Sequence, residues 1–199
     1  MTVMAYALRL AESNISVGPA LVSEKRPAGN WKDRQQSAYK PDEIAKAFGS
    51  HDGMCIFCGP VSGHLEMIDF DCRAVDFEEW YNRVDEAMPG LVADLVIERS
   101  QSGGRHVVYR ATNMEGNRKL CTRVVPCEDT GTHEFRGKPY PVIKEPDGRY
   151  VIKPCTIETR GSGGIFLCHP TPGYRLEQGS LTAVKMVSEE ERDVMINTA

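Results

Sequence analysis

The chain has no long apolar run. Nothing in its 199 residues approaches the roughly 20 consecutive apolar residues of a membrane span. Its first residues, Met1 to Ser13, lack the layout of a signal peptide. The expectation is therefore a soluble, cytoplasmic protein. Positive charge is not in excess: 24 Lys and Arg stand against 28 Asp and Glu, a net −4. That balance argues against holding nucleic acid by bulk electrostatics, but it permits local contacts through bound cations and a few arginines. No G-x-x-x-x-G-K-[ST] occurs, which excludes an ATP-driven motor in this segment. The five histidines (51, 64, 106, 133 and 169) include no pair one residue apart, so the metal-dependent nickase arrangement is missing. Internal repeats and low-complexity tracts are also absent.

Seven cysteines make no secreted-domain framework, and reduced thiols are expected. Cys55 and Cys58 form a C-x-x-C, but within the strand-like run Met54 to Cys58 they would face opposite ways. They are read as core. Cys121, Cys127, His133 and Cys155 carry the right atoms for zinc, in a spacing that matches no compact knuckle.

What is present centres on Leu65-Glu66-Met67-Ile68-Asp69-Phe70-Asp71, an apolar strand between Gly63 and Arg73. Asp69 and Asp71 share a face of that strand, with Cα atoms about 6.5 Å apart. Two such carboxylates suit a divalent ion or a pair of ions; the plainer alternative is the wet face of an edge strand. Ser102-Gly103-Gly104-Arg105-His106 is a glycine turn entering a strand. Its backbone N–H groups could cradle an anion, with Ser102, Arg105 and His106 as further donors. Ile157-Glu158-Thr159-Arg160 then offers a third acid and an arginine on one face of another strand.

Around these pieces the pattern gives α+β content. A helix is expected over residues 2–12, and another opens at Pro41-Asp42-Glu43 and runs to Phe48. Capping boxes at Asp76–Glu79 and Ser188–Glu191 start two more. Strands are expected at 54–58, 65–71, 95–97, 105–109, 152–158 and 165–167, with a hairpin turn at Asp147-Gly148. The basic turn from Lys25 to Lys32 carries Trp31, folded onto the core or offered to a nucleic acid.

Together these segments resemble the archaeo-eukaryotic primase superfamily, and within it the bifunctional primase/polymerase N-terminal domains of phage and plasmid replication proteins. The resemblance rests on Ile68-Asp69-Phe70-Asp71, Ser102 to His106 and Ile157-Glu158. It is extended by the Lys25–Trp31 segment, by Cys55–Gly59 and by Gly163-Gly164, Pro170 and Tyr174. It implies an N-terminal α/β unit packed on a sheet like that of RNA-recognition motifs, with the active site in the cleft between them. Residues 1–199 would then be one catalytic domain, its last helix (188–199) leading into a further domain such as a helicase. The implied activity is template-directed nucleotidyl transfer, as DNA primase and DNA polymerase, on a single-stranded DNA template with NTP or dNTP. Asp69, Asp71 and Glu158 would hold two Mg²⁺ or Mn²⁺ ions, while Ser102, Gly103, Gly104, Arg105, His106 and Arg160 would bind the nucleotide or template. Glu134, in His133-Glu134-Phe135, imitates the third motif; the glycine pair after Glu158 favours Glu158. A non-catalytic single-strand binder is the alternative, although it would display aromatic side chains where these acids stand.

Overall fold

The computed structural model describes residues 2–128 and 130–199. Helix α1 (Val3–Glu12) begins at Thr2, whose hydroxyl accepts the Ala5 N–H at 3.3 Å, and buries Tyr6, Ala7 and Leu10 at helical spacing. Strands β1 (Val17–Leu21) and β2 (Arg26–Pro27) follow. Helix α2 (Pro41–Phe48) starts on proline, and the Glu43 carboxylate takes the Lys40 N–H at 2.8 Å. Next come β3 (Gly53–Phe57), β4 (Leu65–Phe70), α3 (Phe77–Ala87), β5 (Val96–Arg99) and β6 (Arg105–Arg110). The turn-rich stretch resolves into short strands: β7 (Lys119–Thr122), β8 (Val125–Cys127), β9 (Thr132–Phe135), β10 (Lys138–Pro141), β11 (Ile143–Lys144) and β12 (Tyr150–Ile152). Strands β13 (Cys155–Arg160), β14 (Ile165–Leu167) and β15 (Arg175–Gln178) and helix α4 (Glu189–Thr198) complete the order.

Six strands form the main sheet in the order β15-β5-β6-β4-β13-β7, and four form a second in the order β14-β3-β1-β2; every paired strand runs antiparallel. The architecture is mixed α+β, as the sequence pattern predicts. The main sheet is covered on both faces. Leu65, Met67, Val96 and Val108 look toward α1, α2 and the second sheet, where they pack with Leu10, Ile44, Phe48 and Ile56. Ile68, Phe70, Ile97, Val107 and Ile157 look the other way, onto Phe77, Trp80 and Val84 of α3 and Met195 and Ile196 of α4. Phe70 meets Phe77 edge-on at 5.2 Å between ring centroids, and the Trp80 indole N–H donates to the Met195 carbonyl at 2.9 Å.

Three local readings change. Asp76 does not cap α3: its carboxylate accepts from Arg123 Nε at 3.0 Å, a stronger charge-assisted partner than a backbone N–H. The single strand expected over 152–158 breaks at Lys153-Pro154, because proline cannot donate to the ladder, and its halves join different sheets. Finally, Asp71–Ala74 closes a turn of the wrong hand, with φ of +52° at Cys72, +59° at Arg73 and +54° at Ala74. The box at Ser188 does form, with Glu191 N–H to Ser188 Oγ at 3.1 Å and Ser188 N–H to Glu191 Oε2 at 2.7 Å.

Helix α4 is tied to the sheet through a buried ion pair. Arg192 donates to both oxygens of Glu66, at 2.6 and 3.0 Å, and Tyr109 Oη donates to the same carboxylate at 2.9 Å. Glu66 is wholly buried. Removing its partner leaves a buried carboxylate with one donor, so Arg192→Ala is expected to lower unfolding free energy by about 3–5 kcal/mol. Urea titration followed by circular dichroism measures this; a decrease no larger than that of an exposed arginine would show that the pair does not anchor the helix.

Candidate active site

The alternation of β4 sets the site. Leu65 and Met67 point into the core under α1 and α2, so Asp69 points to that same side, where the apolar layer ends. Its cross-strand neighbours are His106 on β6 and Glu158 on β13, and the neighbour of His106 on β5 is Glu98. Directly paired residues share a face, so Glu98, His106, Asp69 and Glu158 make one row across four strands.

Within the row His106 Nδ1 lies 2.7 Å from Glu98 Oε1, and Nε2 lies 3.8 Å from Asp69 Oδ1. Glu98 is fully buried, and its other oxygen accepts the His169 N–H at 2.9 Å. Burial alone would lower the His106 pKa; the Glu98 hydrogen bond, with the negative charges of Asp69 and Glu98, raises it instead. Burial raises the Asp69 carboxyl, opposed by His106. Burial also raises Glu158, opposed by its ion pair with Arg160. Asp71, just past the strand end, pairs with Lys138 of β10 and accepts the Cys72 N–H at 2.8 Å.

These groups line one cavity of about 430 Å³. Asp69, Asp71, Glu158, His106, Arg160 and Lys138 supply the charged wall, while Trp31, Phe166 and Tyr174 supply apolar surface from the side of the second sheet. Ser100 and Ser102 reach it from the glycine turn, their hydroxyls 3.4 Å apart. Trp31 is thus both packed against Phe57 and Leu167 of the second sheet and presented to the cavity.

Not every expected residue is gathered here. Arg105 faces away: its neighbour on β4 is Phe70, and it pairs with Glu78 at 2.8 Å and Glu177 at 3.0 Å while its guanidinium sits 4.3 Å above Phe77. Adjacent strand residues must take opposite faces, so Arg105 and His106 are parted by the same parity that brings His106 to Asp69. Gly103 takes φ +83° and spends its N–H on the Ser100 carbonyl at 2.9 Å. Gly104 is required by a close approach: an added Cβ would come within 2.6 Å of the Phe70 carbonyl oxygen. Glu134 stands exposed on the β9–β10 hairpin, paired with Pro139.

Sequence reasoning missed Glu98 and Lys138, and gave Tyr174 only as part of the resemblance and not as a site residue. It also raised a zinc set that does not assemble. Cys121, Cys127, His133 and Cys155 lie on β7, β8, β9 and β13, and the thiols of Cys127 and Cys155 donate to the carbonyls of Val125 (3.6 Å) and Ile157 (3.4 Å). Among the described residues no three His, Cys, Asp or Glu side chains form a group that could hold a metal as they stand. For Asp71 and Glu158 the physical reason is plain: each is engaged by a cationic side chain.

Residues 7–190 match the family described as bifunctional DNA primase/polymerase, N-terminal (Prim-Pol). The chain belongs to this family. Membership implies primase/polymerase activity in replication, with DNA and nucleotides as partners. No curated protein matches the sequence. Among the described residues of this Prim-Pol domain, no helix is long and apolar enough to cross a membrane.

The raised His106 pKa has a testable sign. Because its folded value exceeds the ordinary 6.5, the pairing contributes stability that is complete below about pH 6.5 and is lost as pH rises through the folded value. An NMR titration of the His106 ring protons should give a midpoint above 6.5 in the wild type and a lower one in Glu98→Gln. An unchanged midpoint in the variant would remove Glu98 as the cause.

Proposed function

We propose that this Prim-Pol domain performs template-directed nucleotidyl transfer, starting and extending a strand on single-stranded DNA, in phage or plasmid replication. The observation that carries the reading is the single cavity onto which Asp69, Asp71 and Glu158 open, beside a histidine fixed by a buried glutamate. The order β13-β4-β6-β5, with α3 crossing from β4 to β5, supports an RNA-recognition-motif-like sheet. The second sheet closes the far wall, and the cleft between the two is the active site in this reading.

The donor chemistry fits divalent cations. Three carboxylates, hard oxygen ligands, suit Mg²⁺ or Mn²⁺, and the cationic partners of two of them show that this corner of the cavity attracts positive charge. Asp69, Asp71 and Glu158 would hold the ions, with Lys138 and Arg160 giving up their carboxylates. Bound there, two such ions would acidify the attacking 3′-hydroxyl and neutralise the triphosphate.

The chain's own residues account for the rest. His106, whose pKa the Glu98 hydrogen bond raises, turns its Nε2 toward Asp69 and the cavity and in its protonated form supplies a fixed donor for a phosphate oxygen. Ser100 and Ser102 add hydroxyl donors beside it. Lys138 and Arg160, once released from their carboxylates, are placed to meet phosphate oxygens at the same wall. Trp31 and Tyr174 give flat apolar surface for a base and keep water from that side.

In a primer-extension and de novo priming assay with Mn²⁺, Asp69→Ala, Asp71→Ala and Glu158→Ala should each reduce synthesis by at least about 100-fold, the scale on which lost metal support acts. Glu134→Ala should stay near wild type. Synthesis surviving in the three acid variants would overturn the assignment, and inactivity of Glu134→Ala instead of Glu158→Ala would move the third acid to the hairpin.

A further inference from the structure

A second, larger cavity of about 840 Å³ adjoins the first, sharing Ser100, Ser102 and Tyr174 with it. Its charged lining is different in kind: Arg73, Arg99 and Arg175 are exposed, and among the described residues no carboxylate lines it. Arg175 and Arg99 are direct cross-strand partners, and the neighbour of Arg99 on β6 is Arg105. Like charges so placed repel and destabilise the sheet unless something neutralises them. Arg105 is neutralised by Glu78 and Glu177, and Arg175 approaches Glu177 at 3.4 Å. Among the described residues Arg73 and Arg99 make no hydrogen bond or ion pair, and Arg99 only acts on the same Glu177 through its charge at longer range. Both flank the glycine turn: a Cβ built at Gly103 would lie 3.8 Å from Arg73 Cγ and 3.9 Å from Arg99 Nη2.

Arg73 also sits in the left-handed turn after Asp71, a conformation that L side chains adopt only at a cost. Strain of this kind is retained where a side chain has to be aimed. Here it sets Arg73 against the turn, its guanidinium close to Gly137 of the hairpin.

We propose that Arg73, Arg99 and Arg175 form a phosphodiester-binding site that takes the backbone of the single-stranded nucleic acid and leads it past the Ser100–Gly104 turn to the carboxylate cavity. A chain of net charge −4 cannot hold such a strand by its overall field, so binding must be local. Guanidinium forks are the donors that match phosphate oxygens. A lining without carboxylates disfavours a cation-bound triphosphate here, and a volume of about 840 Å³ has room for more than one phosphate. The proposal rests on the polymerase reading for the direction of the strand, but not for the site itself.

The test is fluorescence anisotropy of a labelled single-stranded oligothymidylate in EDTA, across a salt series, with Arg73→Gln, Arg99→Gln and Arg175→Gln and their pairs. Each variant should bind more weakly, and the slope of log K against log salt should shrink by about 0.7 for each phosphate no longer neutralised. The KM for nucleotide in primer extension should stay near wild type. Wild-type affinity and slope in the Arg99→Gln/Arg175→Gln pair would overturn the proposal. So would an intact slope with a raised nucleotide KM, which would assign the arginines to the triphosphate. Arg99 and Arg175 are exposed at strand ends, so that pair remains informative if Arg73→Gln fails to fold. Because the binding assay needs no synthesis, inactivity of the wild type would defeat the polymerase reading and leave this one standing.

Discussion

The register of four antiparallel strands is the constraint on which this molecule depends. Glu98, His106, Asp69 and Glu158 come together only because β5, β6, β4 and β13 are paired at those rungs. A slip of one residue in β4 would turn Asp69 into the core under α3 and present Phe70 to the cavity. Such a slip is opposed by apolar packing on both faces at once. Leu65 and Met67 are locked on one side and Ile68 and Phe70 on the other, all fully buried. The packing that stabilises the domain is therefore what positions the polar row.

That row runs against the ordinary chemistry of a sheet interior. Burial drives Asp69 and Glu158 toward their neutral forms, and this is opposed by His106 at Asp69 and by Arg160 at Glu158. Asp71 and Glu158 each take a cationic partner. Added to the left-handed turn over Cys72–Ala74, these features mark the end of β4 as a place where stability has been given up. The same strand carries Glu66 on its other face, more deeply buried than Asp69 and met by both Arg192 and Tyr109. Two carboxylates on one strand thus have opposite fates. The one facing the helices is fully satisfied, and the one facing the cavity is left with capacity for a ligand.

Much of this was legible in the sequence, and the reason is parity. The alternation of Leu65 to Phe70 already assigns Asp69 to a face, and the helical spacing of Phe77, Trp80 and Val84 already names what covers the opposite one. That Arg105 and His106 face opposite ways was legible on the same ground, since neighbours on a strand take opposite faces. Glu98 was also within reach: the hairpin centres on Ser102, and Glu98 and His106 stand equidistant from it. Lys138 was not. Its approach to Asp71 depends on how the β9–β10 hairpin folds over the sheet end, and no local pattern encodes that placement. Nor could Arg73, Arg99 and Arg175 be grouped, because they meet only through the order of strands in the sheet.

Why the chemistry sits at one end of the sheet follows from the two cores. With both faces covered, side chains along the middle of β4, β5 and β6 must be apolar, or polar and internally paired as Glu66 is. Polar groups with free valence fit only where the covering layers stop, and β4 runs out of cover at Asp69. The return turn from β5 to β6 then has to pass close to that end, which explains Gly104: any larger residue would strike the Phe70 carbonyl. Close passage brings Ser100 and Ser102 beside the carboxylates and leaves Arg99 and Arg73 on the outer side of the same turn. A single steric demand, the fit of a glycine against a strand end, therefore separates a cavity lined by three carboxylates from one lined by none across the width of a turn.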